Sequence, residues 1–152
     1  MEHGDFELGT DGPLVILVGI DESVTAARAA SYAAGLARRQ GARVVAVYVE
    51  TMGALPLAMP MTAGALAAEN EVHDEIAEQL SARAAEVARE LGIPVTFIVA
   101  YGDAFHEITR IAKETRADAI VVGASLKAGH RLLGSLAVRL VRAGKWPVTV
   151  VP

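Results

Sequence analysis

Apolar residues along the chain form short, nearly unbroken runs that alternate with longer stretches of helical periodicity. The runs cover residues 14–20, 43–50, 95–100, 118–123 and 148–151. They are rich in β-branched residues, which is typical of parallel strands buried on both faces. Because the strands alternate with helices, the pattern predicts an α/β fold: a single-domain, open, five-stranded parallel sheet with helices on both faces.

Four helices are predicted between these strands, and local signals mark their ends. Ser23 is suited to cap the first helix, which ends at Gly41, and Asp103 is suited to cap the third. The fourth helix is predicted to open at Gly134 and Ser135 and to end before Gly144. The inward faces are predicted to carry Ala26, Ala30, Ala33, Leu36 and Ala37 in the first helix, Val72, Ile76, Leu80, Ala84, Val87 and Leu91 in the second, and Ile108, Ile111 and Ala112 in the third.

One long segment shows neither the helical periodicity nor a strand-like apolar run. Residues 51–66 contain Pro56, Pro60 and three methionines, and we predict a loop there. The chain has 152 residues, of which 53% are hydrophobic, enough for one compact domain. We expect that domain at residues 13–152, preceded by a flexible acidic tail at residues 1–12.

Composition narrows the functional classes. The absence of cysteine excludes disulfides, thiolate metal sites and a cysteine nucleophile. The first twelve residues carry four acids and no Lys or Arg, and no apolar run approaches the roughly 18 residues of a membrane span. We therefore expect a cytoplasmic protein that does not enter the membrane.

Charge is unevenly distributed along the chain. Residues 1–118 carry a formal charge of −9 and residues 119–152 carry +5, for a net charge of −4. An anionic ligand is therefore expected near the C-terminal third. The acidic total and the absence of a basic, aromatic-rich stretch argue against nucleic-acid binding.

Ligands of such sheets bind beyond the carboxyl ends of the strands, which directs attention to the residues that follow each strand. The only glycine between the end of the first strand and the first helix is Gly19, so the G-x-G-x-x-G pattern of a dinucleotide-binding turn is missing. Residues 129–135 have the spacing of a phosphate-binding loop, but Ser135 stands where that loop needs lysine. Gly134 and Ser135 at a helix start either bind a phosphate or only begin the helix.

No catalytic or metal site emerges from the motifs. A serine-hydrolase triad would need an acid between Ser125 and His130, and the sequence has none there. Asp21 and Glu22 imitate the acidic pair of a receiver domain, but no lysine follows the last strand. The four histidines show no metal-ligand spacing, and we interpret His73 as a solvated residue on a helix surface.

Several features together resemble the universal stress proteins. They are Asp21 with Ser23 after the first strand, Tyr48-Val49 at the end of the second, Gly102-Asp103-Ala104, residues 117–123 (ADAIVVG), Gly134-Ser135-Leu136 and Trp146-Pro147-Val148. This resemblance implies the strand order 3-2-1-4-5 of the adenine nucleotide alpha hydrolase-like fold. It also implies a site for ATP or another adenine nucleotide, bound with or without magnesium.

The resemblance assigns roles to particular positions. Asp21 would meet the ribose hydroxyls, the Val49 main chain the adenine edge, and Gly123 the underside of the nucleotide. The phosphates would meet Gly134, Ser135 and Leu136. The complete set of implied site residues is Gly19, Ile20, Asp21, Val49, Val122, Gly123, Gly134, Ser135 and Leu136.

The family's phosphate signature is altered in this chain. It has the form G-x-x-G, nine residues, then G-S or G-T, whereas here Leu126 replaces the second glycine and seven residues precede Gly134. Because the adenosine half is intact, AMP-like or cyclic nucleotides are candidates beside ATP. The alternative is a dimer that binds no nucleotide and acts as a protein-interaction module with an unknown partner; weak ATP hydrolysis is a third interpretation.

The last strand suggests how the chain assembles. Residues 148–151 (VTVV) form a short, uncharged edge strand, which is open to pairing with another chain. Universal stress proteins commonly dimerise through this edge. We predict a homodimer paired through Val148 to Val151.

Overall fold

The computed structural model describes residues 12–51, 62–125 and 135–152. Strands and helices alternate along this part of the chain, as the hydrophobic pattern predicts. The strands are β1 (Val15–Ile20), β2 (Arg43–Glu50), β3 (Val95–Tyr101), β4 (Ala119–Gly123) and β5 (Val148–Val151), and the helices are α1 (Val24–Gln40), α2 (Ala63–Leu91), α3 (Ala104–Glu114) and α4 (Ser135–Ala143).

The five strands form one parallel sheet in the order β3-β2-β1-β4-β5. This confirms the predicted fold class and strand order. β1 lies at the centre, where Ile16 pairs with Val44 on one side and Ala119 on the other. Because all strands run the same way, the residues after β1, β2 and β4 meet at one edge of the sheet.

Alternate residues of each strand serve two separate cores. On one face Leu17, Val45 and Ile120 pack against α3 and α4, and on the other Ile16, Val18 and Val44 pack against α1 and the end of α2. The side chains of Ile16 and Leu17 on β1 and of Ile120 on β4 are fully buried. The central strands β1, β2 and β4 are therefore apolar in nearly every position, because they are covered on both faces.

The predicted helix ends are confirmed at α1 and α3. The Ser23 hydroxyl accepts from the Ala26 N–H at 3.1 Å, and Gly41 ends α1 in the left-handed region at φ 67°. The Asp103 carboxylate accepts from the His106 N–H at 3.0 Å at the start of α3. Each cap satisfies a backbone group that a helix end would otherwise leave unpaired.

The inward face of α1 was only partly predicted. Ala26, Ala33 and Ala37 are buried as expected, but Ala30 and Leu36 are only half-buried. Alanine occupies so many positions of α1 that the sequence pattern could not single out one stripe. The complete set of buried residues on the helix is Thr25, Ala26, Ala29, Ala33, Ala34 and Ala37.

Two predictions about α2 were wrong in detail. The helix begins at Ala63, so the last four residues of the predicted loop are helical; residues 52–61 lie outside the described part of the chain. Val72 is 55% exposed and does not face the sheet. The other five predicted positions, from Ile76 to Leu91, are half-buried, and His73 and Ala77 lie on the same inward side.

Asp118 joins the starts of two neighbouring strands. Its carboxylate accepts from the Leu14 N–H at 2.9 Å and the Val15 N–H at 2.8 Å, while its own N–H donates to the Val15 carbonyl at 2.8 Å. The strand predicted to begin at residue 118 therefore begins at Ala119. Asp118 itself fastens β4 to the beginning of β1.

Candidate functional site

A cleft of about 560 Å³ lies at the carboxyl ends of β1, β2 and β4. Its volume is in the range of small-molecule and cofactor sites. Side chains from α2, α3 and α4 close its walls. The lining comprises Gly19–Ser23, Thr25 and Ala26, then Val47–Val49, Thr51 and His73, and finally Ala104, Ile108, Val122–Ser125, Leu136 and Ala137.

Asp21 is held in place at the mouth of the cleft by its own turn. One carboxylate oxygen, Oδ1, accepts from the Ser23 N–H at 2.7 Å, and Ser23 in turn caps α1. The second oxygen has no hydrogen-bond partner within the described ranges. A carboxylate fixed through one oxygen and open at the other is suited to accept hydrogen bonds from hydroxyl groups of a ligand.

Gly123 forms the floor of the cleft where β4 passes beneath the first turn of α1. A Cβ atom at this position would lie 2.5 Å from the Thr25 carbonyl carbon and 2.7 Å from the Ala26 nitrogen. Both contacts are with backbone, which cannot move aside as a flexible side chain could. Glycine is therefore required here for the close approach of helix and sheet, whatever else the residue contacts.

The end of β2 contributes a hydrogen-bonded pair that the sequence interpretation missed. The Tyr48 hydroxyl lies 3.3 Å from His73 Nδ1, and His73 Nε2 lies 3.9 Å from Glu69 Oε1. His73 is half-buried against the cleft, so its interpretation as a solvated surface residue was wrong. Its spacing of seven residues from Leu80 on α2 was the signal that could have placed it inward.

The cleft is electrostatically negative at this end. Burial raises the pKa of the Tyr48 hydroxyl, and the nearby carboxylates of Glu50, Glu22 and Asp21 raise it further. Glu50 is 9% exposed, and its Oε1 atom is buried without a partner within the described segments. The lining given above contains no Lys or Arg.

The described part of the predicted site comes together in one place. Gly19, Ile20, Asp21, Val49, Val122, Gly123 and Leu136 all line the cleft. Gly134 lies outside the described residues, together with the rest of residues 126–134, and Ser135 is described only as the first residue of α4. The altered phosphate signature, with Leu126, therefore falls where the structure gives no description.

An ion pair orients α4 behind the cleft. Arg139 donates through two nitrogens to the two carboxylate oxygens of Asp103, at 2.9 and 3.0 Å, and its guanidinium lies 4.4 Å from the centre of the Phe105 ring. Hydrogen bonding from Arg139, then from the His106 N–H, lowers the pKa of Asp103 to about 2. The start of α3 is thereby joined to α4, which carries Leu136 into the cleft.

Within residues 12–51, 62–125 and 135–152, no group of three His, Asp or Glu side chains could hold a metal ion. No helix in those ranges is long and apolar enough to cross a membrane. The cleft's described chemistry thus consists of carboxylates, hydroxyls, one imidazole and backbone groups.

Comparison with known proteins gives a consistent relationship. The sequence model of the universal stress protein family matches residues 14–152. A universal stress protein from Methanocaldococcus jannaschii is 29% identical over 138 residues, which cover 90% of this chain and 80% of that protein.

Solved structures agree in fold. A universal stress protein family member from Burkholderia pseudomallei has a TM-score of 0.67 at 29% identity, covering 91% of this chain and 96% of its own. UspA from Lactobacillus plantarum has a TM-score of 0.72 at 27% identity, and the match covers 91% of this chain and 97% of UspA. Two structures at 22% identity share the fold with TM-scores of 0.66 and 0.64: a universal stress protein in complex with cAMP, and one from Archaeoglobus fulgidus in complex with dAMP.

Proposed function

Since the chain belongs to the universal stress protein family, we propose that its cleft binds an adenine nucleotide and that the protein is a regulator of the stress response rather than a dedicated catalyst. The domain that does so comprises residues 13–152. The observation that carries the proposal is the position of Asp21, fixed at the mouth of a nucleotide-sized cleft with one carboxylate oxygen unpaired within the described part of the chain.

The nucleotide is oriented by three groups. Asp21 accepts hydrogen bonds from the sugar hydroxyls, the Val49 main chain meets the adenine edge, and Gly123 lies beneath the ligand. Two universal stress proteins of the same fold were solved with cAMP and with dAMP, which supports an adenine nucleotide as the ligand class.

Charge favours a nucleotide with one phosphate. Asp21 and Glu22 line the cleft, Glu50 lies beside it, and the described lining supplies no cation. Between β4 and α4 the sequence offers Lys127 and Arg131, in a segment that lacks the second glycine of the family signature. Every added phosphate charge is repelled by the same carboxylates, so we propose that AMP or cAMP binds more tightly than metal-free ATP.

Calorimetric titration of nucleotide-stripped protein with AMP, dAMP, cAMP and ATP, the last without and with Mg²⁺, tests this proposal. Asp21→Asn keeps an oxygen for the Ser23 N–H but removes the charged acceptor, and we expect AMP affinity to fall about tenfold. The preference of the wild type for AMP over dAMP, which lacks the 2′-hydroxyl, should shrink in the same variant. Circular dichroism establishes that the variant is folded.

Glu22→Gln is the matched control, because it removes an equal charge from the adjacent residue. If Asp21 holds the sugar, Glu22→Gln leaves AMP affinity unchanged or raises it, whereas Asp21→Asn lowers it. An equal increase in AMP affinity in both variants would mean that the Asp21 carboxylate only repels the phosphate. Absence of saturable binding by every nucleotide would overturn the proposal and favour a protein-interaction module without a nucleotide.

We also propose that the protein is a homodimer paired through β5. This strand forms one edge of the sheet and carries no charged side chain. A second copy could continue the sheet by hydrogen bonding to its open side.

A further inference from the structure

A second cavity, of about 370 Å³, lies on the other face of the sheet, between α1 and α2. Its floor is formed by strand residues such as Val18, Val44 and Ala46, and its walls by the facing sides of the two helices. Fourteen of its eighteen lining residues are apolar. The cavity adjoins the nucleotide cleft at Ile20, Asp21 and Ala26, which line both, whereas the core around α3 and α4 lies on the opposite face of the sheet.

The space exists because α2 covers the sheet incompletely. None of the residues of α2 is buried, and Leu80, Ala84 and Val87 are only half-buried although they point toward the sheet. The space is a groove open to solvent rather than a closed void, because Ala27 and Ser31 on its rim are exposed while its floor is apolar. An apolar space of this size leaves the lining short of contacts that an apolar occupant would restore.

The shape of the cavity sets the size of its occupant. The α1 wall extends from Ala26 to Ala34, which corresponds to about 12 Å at a rise of about 1.5 Å per residue. The α2 wall continues from Leu80 to Leu91 along the same space. An elongated molecule of modest size fits better than a bulky ring system or a peptide helix.

The charges around the cavity select against ions. Its polar lining residues are Asp21, Ser31, Arg83 and Glu90. Arg83 is already paired with Glu86, and its side chain is 66% exposed, so it is held at the solvent side. Glu86 and Glu90 both raise the pKa of the Arg83 guanidinium, so the positive charge of the lining is already balanced. With Asp21 also present, a ligand carboxylate would meet net negative charge, whereas a neutral chain avoids any desolvated charge.

We propose that this cavity is a second ligand site, which takes an uncharged, elongated apolar molecule with a polar end of the alcohol type. The hydroxyl of the ligand lies at the polar rim, and its chain lies between α1 and α2. Displacement of water from apolar surface on both ligand and protein supplies the binding free energy. The proposal does not depend on nucleotide binding in the cleft.

Fluorescence of 1,6-diphenyl-1,3,5-hexatriene, an uncharged, elongated probe that brightens in apolar sites, tests the proposal on the full chain. We expect saturable brightening and competitive displacement by 1-decanol, with decanoate at least tenfold weaker. Ala84→Leu fills the space from α2 and Ala30→Leu fills it from α1. Each should weaken probe binding at least tenfold.

Ala85→Leu is the matched control, because Ala85 is the exposed neighbour of Ala84 on α2 and does not line the cavity. It should leave probe binding unchanged. Thermal unfolding of all three variants adds a readout that needs no ligand: Ala84→Leu and Ala30→Leu should keep or raise Tm, because the added side chains enter existing space.

Several outcomes would overturn the proposal. A large fall in Tm for both filling variants would mean that the space is closed in solution. Absence of saturable probe binding would mean that it takes no ligand, and equal binding by Ala84→Leu and Ala85→Leu would place the probe elsewhere. Tighter binding of decanoate than of 1-decanol would contradict an uncharged ligand.

Discussion

Gly123 determines how closely α1 can approach the sheet. A methyl group at this position would have the backbone of Thr25 and Ala26 as its nearest neighbours, at 2.5 to 2.8 Å. Because α1 is also fixed through Ser23 at its cap, neither helix nor strand can shift without disturbing the mouth of the cleft. A single hydrogen atom in place of a side chain thus maintains the geometry around Asp21.

We expect Gly123→Ala to destabilise the protein by about 1–3 kcal/mol, the usual cost of overpacking a rigid site. Urea unfolding measures the change. Gly35→Ala is the control on α1: its Cβ would meet only the Arg39 side chain at 3.6 Å, and removing a helical glycine should stabilise by about 0.5–1 kcal/mol. Equal effects of the two substitutions would contradict the packing role of Gly123.

At the scale of elements, α3 and α4 are joined by the ion pair of Asp103 with Arg139. The same carboxylate caps α3 through the His106 N–H. Its pKa is lowered from 3.8 to about 2, first by the hydrogen bond from Arg139. Both side chains are more than 40% exposed, so solvent and salt weaken the pair.

The pH dependence of stability should report this pair. A carboxyl group with a lowered folded-state pKa contributes stability above its unfolded value of 3.8, and that contribution is lost as pH falls toward about 2. Asp103→Asn can still cap α3 but cannot form the ion pair. We expect wild type to be more stable than Asp103→Asn at pH 6, and the difference to shrink between about pH 4 and pH 2.

Arg139→Gln provides the check, because it removes the other partner. Urea unfolding of the two variants and of the double variant should show that, once one partner is replaced, replacing the other lowers the free energy of unfolding only a little more. A difference between wild type and Asp103→Asn that stays constant from pH 6 to pH 2 would contradict this account.

At the scale of the whole molecule, β5 presents an open edge. Its backbone pairs with β4, as in the bonds from the Ile120 N–H to the Pro147 carbonyl at 2.9 Å and from the Ala124 N–H to the Val151 carbonyl at 2.7 Å. In a strand, alternate residues direct their N–H and C=O groups to opposite sides, so Val148 and Val150 direct theirs away from β4. A second β5 would satisfy those groups around a two-fold axis.

We expect wild-type protein at micromolar concentration to elute with twice the chain mass in size-exclusion chromatography with light scattering. Thr149→Lys brings two like charges together near the two-fold axis and should shift the mass to that of one chain. Thr96→Lys, the same change on β3 at the opposite edge, should leave the dimer intact. A monomeric wild type, or an equal response of both variants, would exclude β5 as the interface.

The fold was predictable from the sequence because its signals are local. Unbroken apolar runs marked the five strands, and Ser23, Gly41 and Asp103 marked helix ends. Most of the cleft followed from the rule that ligand residues lie at the carboxyl ends of parallel strands: Asp21 directly follows β1, and Val49 is the penultimate residue of β2. His73 lies on a helix, so this rule could not place it; its seven-residue spacing from Leu80 indicated the inward side of α2, but its contact with Tyr48 depends on how α2 packs against β2.

The sequence by itself determined the order of elements, the parallel sheet, the capped helices and the group of residues that meets at the strand ends. Each of these depends on neighbours in the chain or on a rule that holds for every parallel sheet. Only the tertiary structure decided that Gly123 supports α1 and that Asp103 binds Arg139. It also decided that α2 leaves an apolar space above the sheet, because such contacts depend on distances between elements far apart in sequence.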